Sequence, residues 1–319
     1  MFESIINGFK VANATRKFVF GDKQLFAYPV ISAVVGIIAA VLILAAAFGL
    51  FIIRYHGLGS AATIILIVLA FLLLYFVVFF ISTYFTMAML IAFREYTKKN
   101  RIGMVEALNR TAPYAKLIIE WSIFYTLIAT AIHIIEGVIR GLLSRYGISG
   151  AIISSLITGA ANLALSAAVA FALPVILDEK KGPIETIKFS TGFIIKNFGD
   201  TFGGLVFAEI IQIVFTLVGL GLIFLGILPF LLGSAPTIII SAALIALGVV
   251  IIIVGGLFRY VLFNCFKLIV YDYKTRKVLP KGFDAGLIES GIRRKKGQQN
   301  KGMGATPVGF FGVGHRGDI

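Results

Sequence analysis

Residues 61–93 contain no charged side chain, and the run then meets Arg94-Glu95-Tyr96 and Lys98-Lys99. As a helix rising ~1.5 Å per residue it is roughly 50 Å long, well beyond the ~30 Å hydrocarbon core of a bilayer. Only scattered Ser, Thr and Tyr interrupt it, so no face is polar enough for the surface of a soluble fold. The run predicts a helix that crosses a membrane and continues past it. Composition extends this reading to the whole chain. Its 319 residues are 59% hydrophobic and 14% charged, with a mean hydropathy of +0.99, which is the balance of a polytopic membrane protein.

In chain order, residues 1–23 come first, with Phe2, Ile5, Ile6, Phe9 and Ala12 on one face and Glu3, Asn7, Lys10 and Lys17 on the other. That pattern predicts an amphipathic helix on the membrane surface. Apolar segments follow at about 25–53, 61–93, 117–138, 148–177, 201–232 and 237–273. The first is far longer than the ~7–15 residue core of a signal peptide, so it reads as an uncleaved span. Between the pairs, residues 94–116 place Met104, Val105, Leu108, Ala112 and Ala115 at helical spacing, and residues 178–200 do so with Ile184, Ile187, Thr191, Ile194 and Phe198. The expected fold is all-α: six transmembrane helices in three hairpins, each preceded by an amphipathic surface helix. It fills residues 1–280 as repeat units of about 1–100, 101–180 and 181–280, with 281–319 a basic, Gly-rich and largely disordered tail. The repeat shows in Gly103 with Glu106, Gly182 with Glu185 and Gly282 with Asp284. In each, glycine ends one helix and an acid enters the first turn of the next, where the helix dipole favours it.

Of the 29 lysines and arginines, all but Arg54, Arg140 and Arg145 fall on one side of this arrangement. The positive-inside rule then places both termini in the cytoplasm, with the chain in the cell membrane. The single cysteine, Cys265, excludes an intrachain disulfide.

Small residues recur every fourth position at Ala160, Ala164, Ala168 and Ala172, and at Ser32, Gly36 and Ala40. Such stripes let helices approach closely in lipid, so span four is expected at the centre of the bundle. The eight prolines all fall near predicted helix borders or in loops, so none is expected to break a span as in many transporters, although Gly219, Gly221 and Gly226 could. Charges inside spans are functional candidates because each costs roughly 2.5–3.5 kcal/mol at the bilayer centre. Glu209, with Gln212, Thr216 and Gly219, forms a polar stripe in span five. It suits an ion or proton contact or, more simply, interhelical hydrogen bonding directed away from lipid. His133, Glu136 and Arg140 share a face of span three, where a local Glu136–Arg140 pair is expected rather than a metal site. Glu120 beside Trp121 fits an interface with its aromatic belt. Tyr260, Asn264, Lys267 and Tyr271 share a face of span six expected to pack on the surface helices, and Asn162 is the further polar candidate in span four. Arg293, Arg294, Lys295 and Lys296 can hold anionic lipid headgroups.

No nucleophile elbow, phosphate loop, metal-binding or paired-cysteine motif occurs, so neither catalysis nor a cofactor is expected. Phe2-Glu3-Ser4, the basic stretch leading to Pro29, and Leu173-Pro174-Val175-Ile176-Leu177-Asp178-Glu179 with Gly182-Pro183-Ile184-Glu185 and Ser190 together resemble an uncharacterised family of six-span prokaryotic integral membrane proteins. The resemblance covers most of the chain to about Tyr273; Tyr84-Phe85-Thr86-Met87 lacks the Asn such a family would carry near the end of span two. It implies a fold and no activity. The expected role is a non-enzymatic scaffold, assembly partner or lipid-organising protein, its partners membrane lipids or another membrane protein and not nucleic acid. The alternative is a small transporter or channel using Glu209, Gln212 and Asn162.

Overall fold

A computed structural model describes residues 2–54, 60–230 and 235–280, all within one compact unit, Met1–Phe283. Among the described residues there is no β-strand. The helices are α1 (Phe2–Gly21), α2 (Ala27–Arg54), α3 (Ser60–Thr97), α4 (Met104–Thr111), α5 (Ala115–Leu143), α6 (Gly147–Val169), α7 (Ala172–Glu179), α8 (Pro183–Lys196), α9 (Phe198–Phe230) and α10 (Ala235–Arg276). Among the described residues five stretches are long and apolar enough to cross a membrane: Lys23–Leu50, Ala62–Thr97, Met104–Glu179, Thr201–Pro229 and Ile238–Arg276. The third runs for 76 residues and contains two long helices, α5 and α6. The chain turns between them at Gly147, whose φ of +61° is the left-handed conformation that glycine reaches without strain.

Helix α2 packs on α3, α5 on α6, and α9 on α10; of the short helices, α4 lies on α3, α8 on α6, and α1 on α9 and α10. The packed interior is concentrated at one end. Met87, Met89, Leu90 and Phe93 of α3, Val175 and Ile176 of α7, and Leu262, Phe266 and Tyr271 of α10 are buried there. Toward the other end Ile37, Leu42, Phe71, Leu156, Leu217 and Phe224 stand exposed. Water would not tolerate so much apolar surface, whereas lipid solvates it and the helices satisfy their own backbone groups.

The apolar stripes of α1, α4 and α8 are only partly buried against the protein. Ile6, Phe9, Val105 and Ile184 are exposed, while Val11, Val19, Phe193 and Ile194 are buried together with Thr15, Thr111, Thr186 and Ser190. The threonine hydroxyls donate to Val11 O at 2.8 Å, Ala107 O at 2.8 Å and Lys181 O at 3.2 Å, so these buried donors are satisfied. The face turned to the bundle thus mixes self-satisfied hydroxyls with apolar side chains.

Three expectations are corrected. Helix α6 is peripheral: it buries Gly150, Ser154 and Thr158, while Ala160 and Ala164 of the alanine stripe face outward. The stretch expected as one span over 148–177 is broken, because α6 ends at Val169 and α7 begins at Ala172. Pro174 cannot supply the N–H that would bond Ala170 O, and at the break the Phe171 N–H donates to Ser190 Oγ of α8 at 3.2 Å. Conversely, Gly219, Gly221 and Gly226 do not interrupt α9, which is continuous. A Cβ on Gly219 would come 2.6 Å from Gly248 O, and one on Gly248 2.5 Å from Gly219 O, so these glycines set the closeness of α9 and α10.

This gives a paired expectation within one helix. Gly219→Ala should destabilise the protein by about 1–3 kcal/mol through overpacking against backbone. Gly221→Ala, which meets nothing within 4 Å, should be neutral or stabilise by up to about 1 kcal/mol through helix propensity. Thermal unfolding of both variants in detergent checks the opposite signs.

Candidate functional site

Arg94 ends the long apolar run of α3, Asp178 ends that of α7, and Asp272 lies in the penultimate turn of α10. A carboxylate near a helix C-terminus opposes the dipole by roughly 0.3–1 kcal/mol, so neither aspartate is at rest by itself. The fold brings both to one guanidinium. Arg94 donates Nη1–H to Asp178 Oδ1 at 2.6 Å and Nη2–H to Asp178 Oδ2 at 3.1 Å. It also donates Nη2–H to Asp272 Oδ1 at 2.6 Å and Nε–H to Asp272 Oδ2 at 3.2 Å. Arg276 adds a second cation, with Nη2 2.8 Å from Asp178 Oδ1. The Arg94, Asp178 and Asp272 side chains are only 14%, 4% and 16% exposed. Charge-assisted hydrogen bonds at about 1.5–3 kcal/mol each outweigh the dipole terms, so the cluster holds.

Around it, Tyr271 is buried between Phe189 and Phe193 of α8, its hydroxyl without a hydrogen-bond partner. A cavity of about 240 Å³ opens beside Arg94, Asp272 and Arg276, with Val278, Leu279 and Pro280 forming one wall. With both carboxylates fixed and Arg94 forked twice, the cluster has no free base or nucleophile. It is a clasp joining α3, α7 and α10. A second tie lies nearby: Asp22, 3% exposed, receives Arg101 at 2.5 Å and so joins the α1–α2 junction to the α3–α4 junction.

The sequence-derived candidates fall elsewhere and apart from one another. Glu209 accepts from Arg259 Nε of α10 at 2.8 Å, so it faces another helix. Gln212 donates to Thr216 Oγ1 at 3.0 Å, within its own helix. Glu136 does not pair with Arg140: its carboxylate lies 3.3 Å from His133 Nδ1 and accepts from Asn162 Nδ2 of α6 at 2.5 Å. Across two helices, that amide reaches Glu136 more directly than a side chain projecting further along the same helix. Glu120 is loosely paired with Lys116 at 3.9 Å, and Trp121 is buried against Phe124 and Tyr125 rather than standing in an aromatic belt. On α10, Tyr260 meets Thr86 of α3 and Tyr271 meets α8, so that face packs only partly on surface helices. Arg293, Arg294, Lys295 and Lys296 lie outside the described residues. Among the described residues no three His, Cys, Asp or Glu side chains gather as a metal site.

Two larger cavities run along α3. One, of about 570 Å³, lies between α2, α3 and α10 and is lined by Ser32, Gly36 and Ala40, by Val78 and Thr86, and by Tyr260. Its deepest hydroxyls, Thr86 and Tyr260, are 2.5 Å apart and satisfy each other. The other, of about 830 Å³, lies between α2, α3 and α5, shares Ala40 and Val78, and reaches Thr130 and His133. Glu209 and Asn162 line neither. Arg94 and the two aspartates went unnoticed in the sequence because each reads singly as an interfacial charge. The legible signal is their common position at the ends of the second, fourth and sixth apolar runs.

A family model described as "Family of unknown function (DUF6159)" matches residues 60–279, which hold the whole ion cluster. No curated protein and no solved structure matches the chain.

Arg94→Ala should cost about 3–5 kcal/mol, the scale for removing one partner of a buried ion pair. Glu106→Ala, which removes an exposed pair with Arg110 on α4, should cost less than about 1 kcal/mol. Melting of both variants in detergent, with Arg94→Lys as an intermediate that cannot fork, checks the order.

Proposed function

The chain belongs to the DUF6159 family, whose function is unknown, and from its geometry we propose a non-enzymatic membrane protein that binds and organises lipid. In this reading the chain crosses the cell membrane six times as three hairpins, with both termini cytoplasmic and α1, α4 and α8 lying at the inner leaflet. The basic tail beyond residue 280, with Arg293 to Lys296, adds headgroup attraction of about 1 kcal/mol per charge. Exposed Ile6, Phe9, Val105 and Ile184 on the short helices fit insertion among acyl chains at that depth.

One observation carries the lipid-binding role. The two cavities along α3 together run from Val68 to Met89, which at ~1.5 Å per residue is about 30 Å, the hydrocarbon thickness of a bilayer. Their lining is apolar apart from hydroxyls and, at one end, His133. Hydrocarbon chains suit such a surface, and hydrated ions do not. The polar groups that a transport pathway would need are spent elsewhere: Glu209 on Arg259 and Asn162 on Glu136. Partners are therefore membrane lipids first, and a second membrane protein through the exposed helix faces.

Gly36→Leu tests this. Gly36 lines the 570 Å³ cavity, and a Cβ there meets only Val78 at 4.0 Å, so the larger side chain fills space without a backbone clash. Lipid retained by the protein purified in mild detergent should fall at least twofold, with the melting temperature held or raised. Unchanged retention in a folded variant would overturn the lipid-binding reading.

A further inference from the structure

Lys267 is a half-buried cation on α10 whose ammonium stands 4.7 Å over the ring of Phe263. Among the described residues no carboxylate pairs with it, whereas Arg94, Arg259 and Arg276 each hold one. A cation–π contact contributes about 2 kcal/mol when desolvated. Withdrawing an ammonium from water costs several, so the ring alone does not settle this charge. Arg259 takes up Glu209, which leaves the charge of Lys267 over.

The direction of the side chain adds to this. On a helix, side chains lean toward the N-terminus, and the Phe263 contact shows that Lys267 does so. It is carried away from the charged end marked by Asp272 and Arg276. A lysine seeking water at that end would lean the other way. Gly256, Tyr260, Phe263 and Lys267 follow one another at spacings of four, three and four, and so share one face of α10. Gly256 and Tyr260 line the 570 Å³ cavity, and Lys267 lies seven residues, ~10 Å, further along that face.

We propose that Lys267 is an anion site that holds the phosphate of an anionic phospholipid whose acyl chain lies in the cavity between α2, α3 and α10. The inference rests on the lipid-binding reading above and adds headgroup selectivity to it. An ammonium over an aromatic ring attracts a phosphodiester by charge, while the apolar cavity next to it takes the tail. Phosphatidylcholine carries the same phosphodiester, but its own choline cation offsets it, so that lipid brings Lys267 no net counter-charge.

The full chain, purified in mild detergent and exchanged with phosphatidylglycerol or phosphatidylcholine, is read by native mass spectrometry of retained lipid. Lys267→Met keeps the length of the side chain and removes a desolvated charge, so it should fold at least as well. It should retain phosphatidylglycerol at least fivefold less, with phosphatidylcholine unchanged, and Lys267→Arg should restore the selectivity. Equal retention of both lipids by wild type and Lys267→Met would overturn the headgroup site while leaving the cavity reading, which Gly36→Leu tests, intact. Inorganic phosphate is titrated into the delipidated protein as a separate arm. Lys267-dependent phosphate binding without lipid selectivity would make the ligand a free anion and overturn the lipid assignment.

Discussion

The fold depends on one guanidinium. Among the described residues Arg94 alone hydrogen-bonds both Asp178 and Asp272, and the three residues sit on helices separated in sequence by the lengths of whole spans. Lipid supplies almost no drive to bring apolar helices together, because hydrocarbon tails and leucine side chains are equivalent neighbours. Association must come from close packing or from polar groups with nowhere else to go. Between α9 and α10 it comes from close packing through Gly219 and Gly248. Between α3, α7 and α10 it comes from the forked arginine. Removing it would leave Asp272 without its partner, and Asp178 with only the more exposed Arg276.

Anchoring at one end explains the distribution of burial. At the clasped end, short helices close over the bundle with buried hydroxyls and with Val11, Val19, Phe193 and Ile194, while Ile6, Val105 and Ile184 stay outward. Away from it, the long helices separate enough to leave cavities of about 570 and 830 Å³ along α3. Local stability follows local contact density, so the clasped end is the rigid one and the cavity walls are the part that a bound acyl chain would order. A chain entering there replaces helix–helix contacts that the fold does not make, without disturbing the clasp. Tight packing and open cavities are thereby separated along α3.

Much of this architecture was legible in the sequence. Uncharged runs longer than a bilayer is thick leave little freedom, and the helical class and the short helices at 104–111 and 183–196 follow from periodicity. The left-handed residues after α3, α7 and α10 are Lys99, Lys180 and Lys277, whereas Gly103 and Gly182, expected to end the helices before them, are extended N-caps of the next. The site was less legible, for a physical reason. Hydrophobic pattern reports which residues avoid water, but in a membrane protein both lipid-facing and protein-facing sides avoid it. The pattern therefore could not say that α1, α4 and α8 turn Thr15, Thr111 and Thr186 inward, or that the alanine stripe of α6 faces out. Polar candidates chosen by depth, such as Glu136 and Glu209, proved to be satisfied pairwise by Asn162 and Arg259. The break at Phe171 was also hidden, because the acceptor that makes it tolerable, Ser190 Oγ, comes from another helix.

The clasp joins three unlike helix ends. Arg94, Asp178 and Asp272 occupy corresponding ends of the second, fourth and sixth apolar runs. Three identical charges converging at that depth would repel, and three neutral residues would leave lipid no reason to yield to helix contact. Arg94 reaches both aspartates because guanidinium offers a fork along each of two edges, which a lysine cannot do, and Arg276 balances the second acid. Since the arginine belongs to α3 and the acids to α7 and α10, these helices cannot exchange places. The charge order fixes which helices meet, much as one buried polar residue fixes register in a coiled coil.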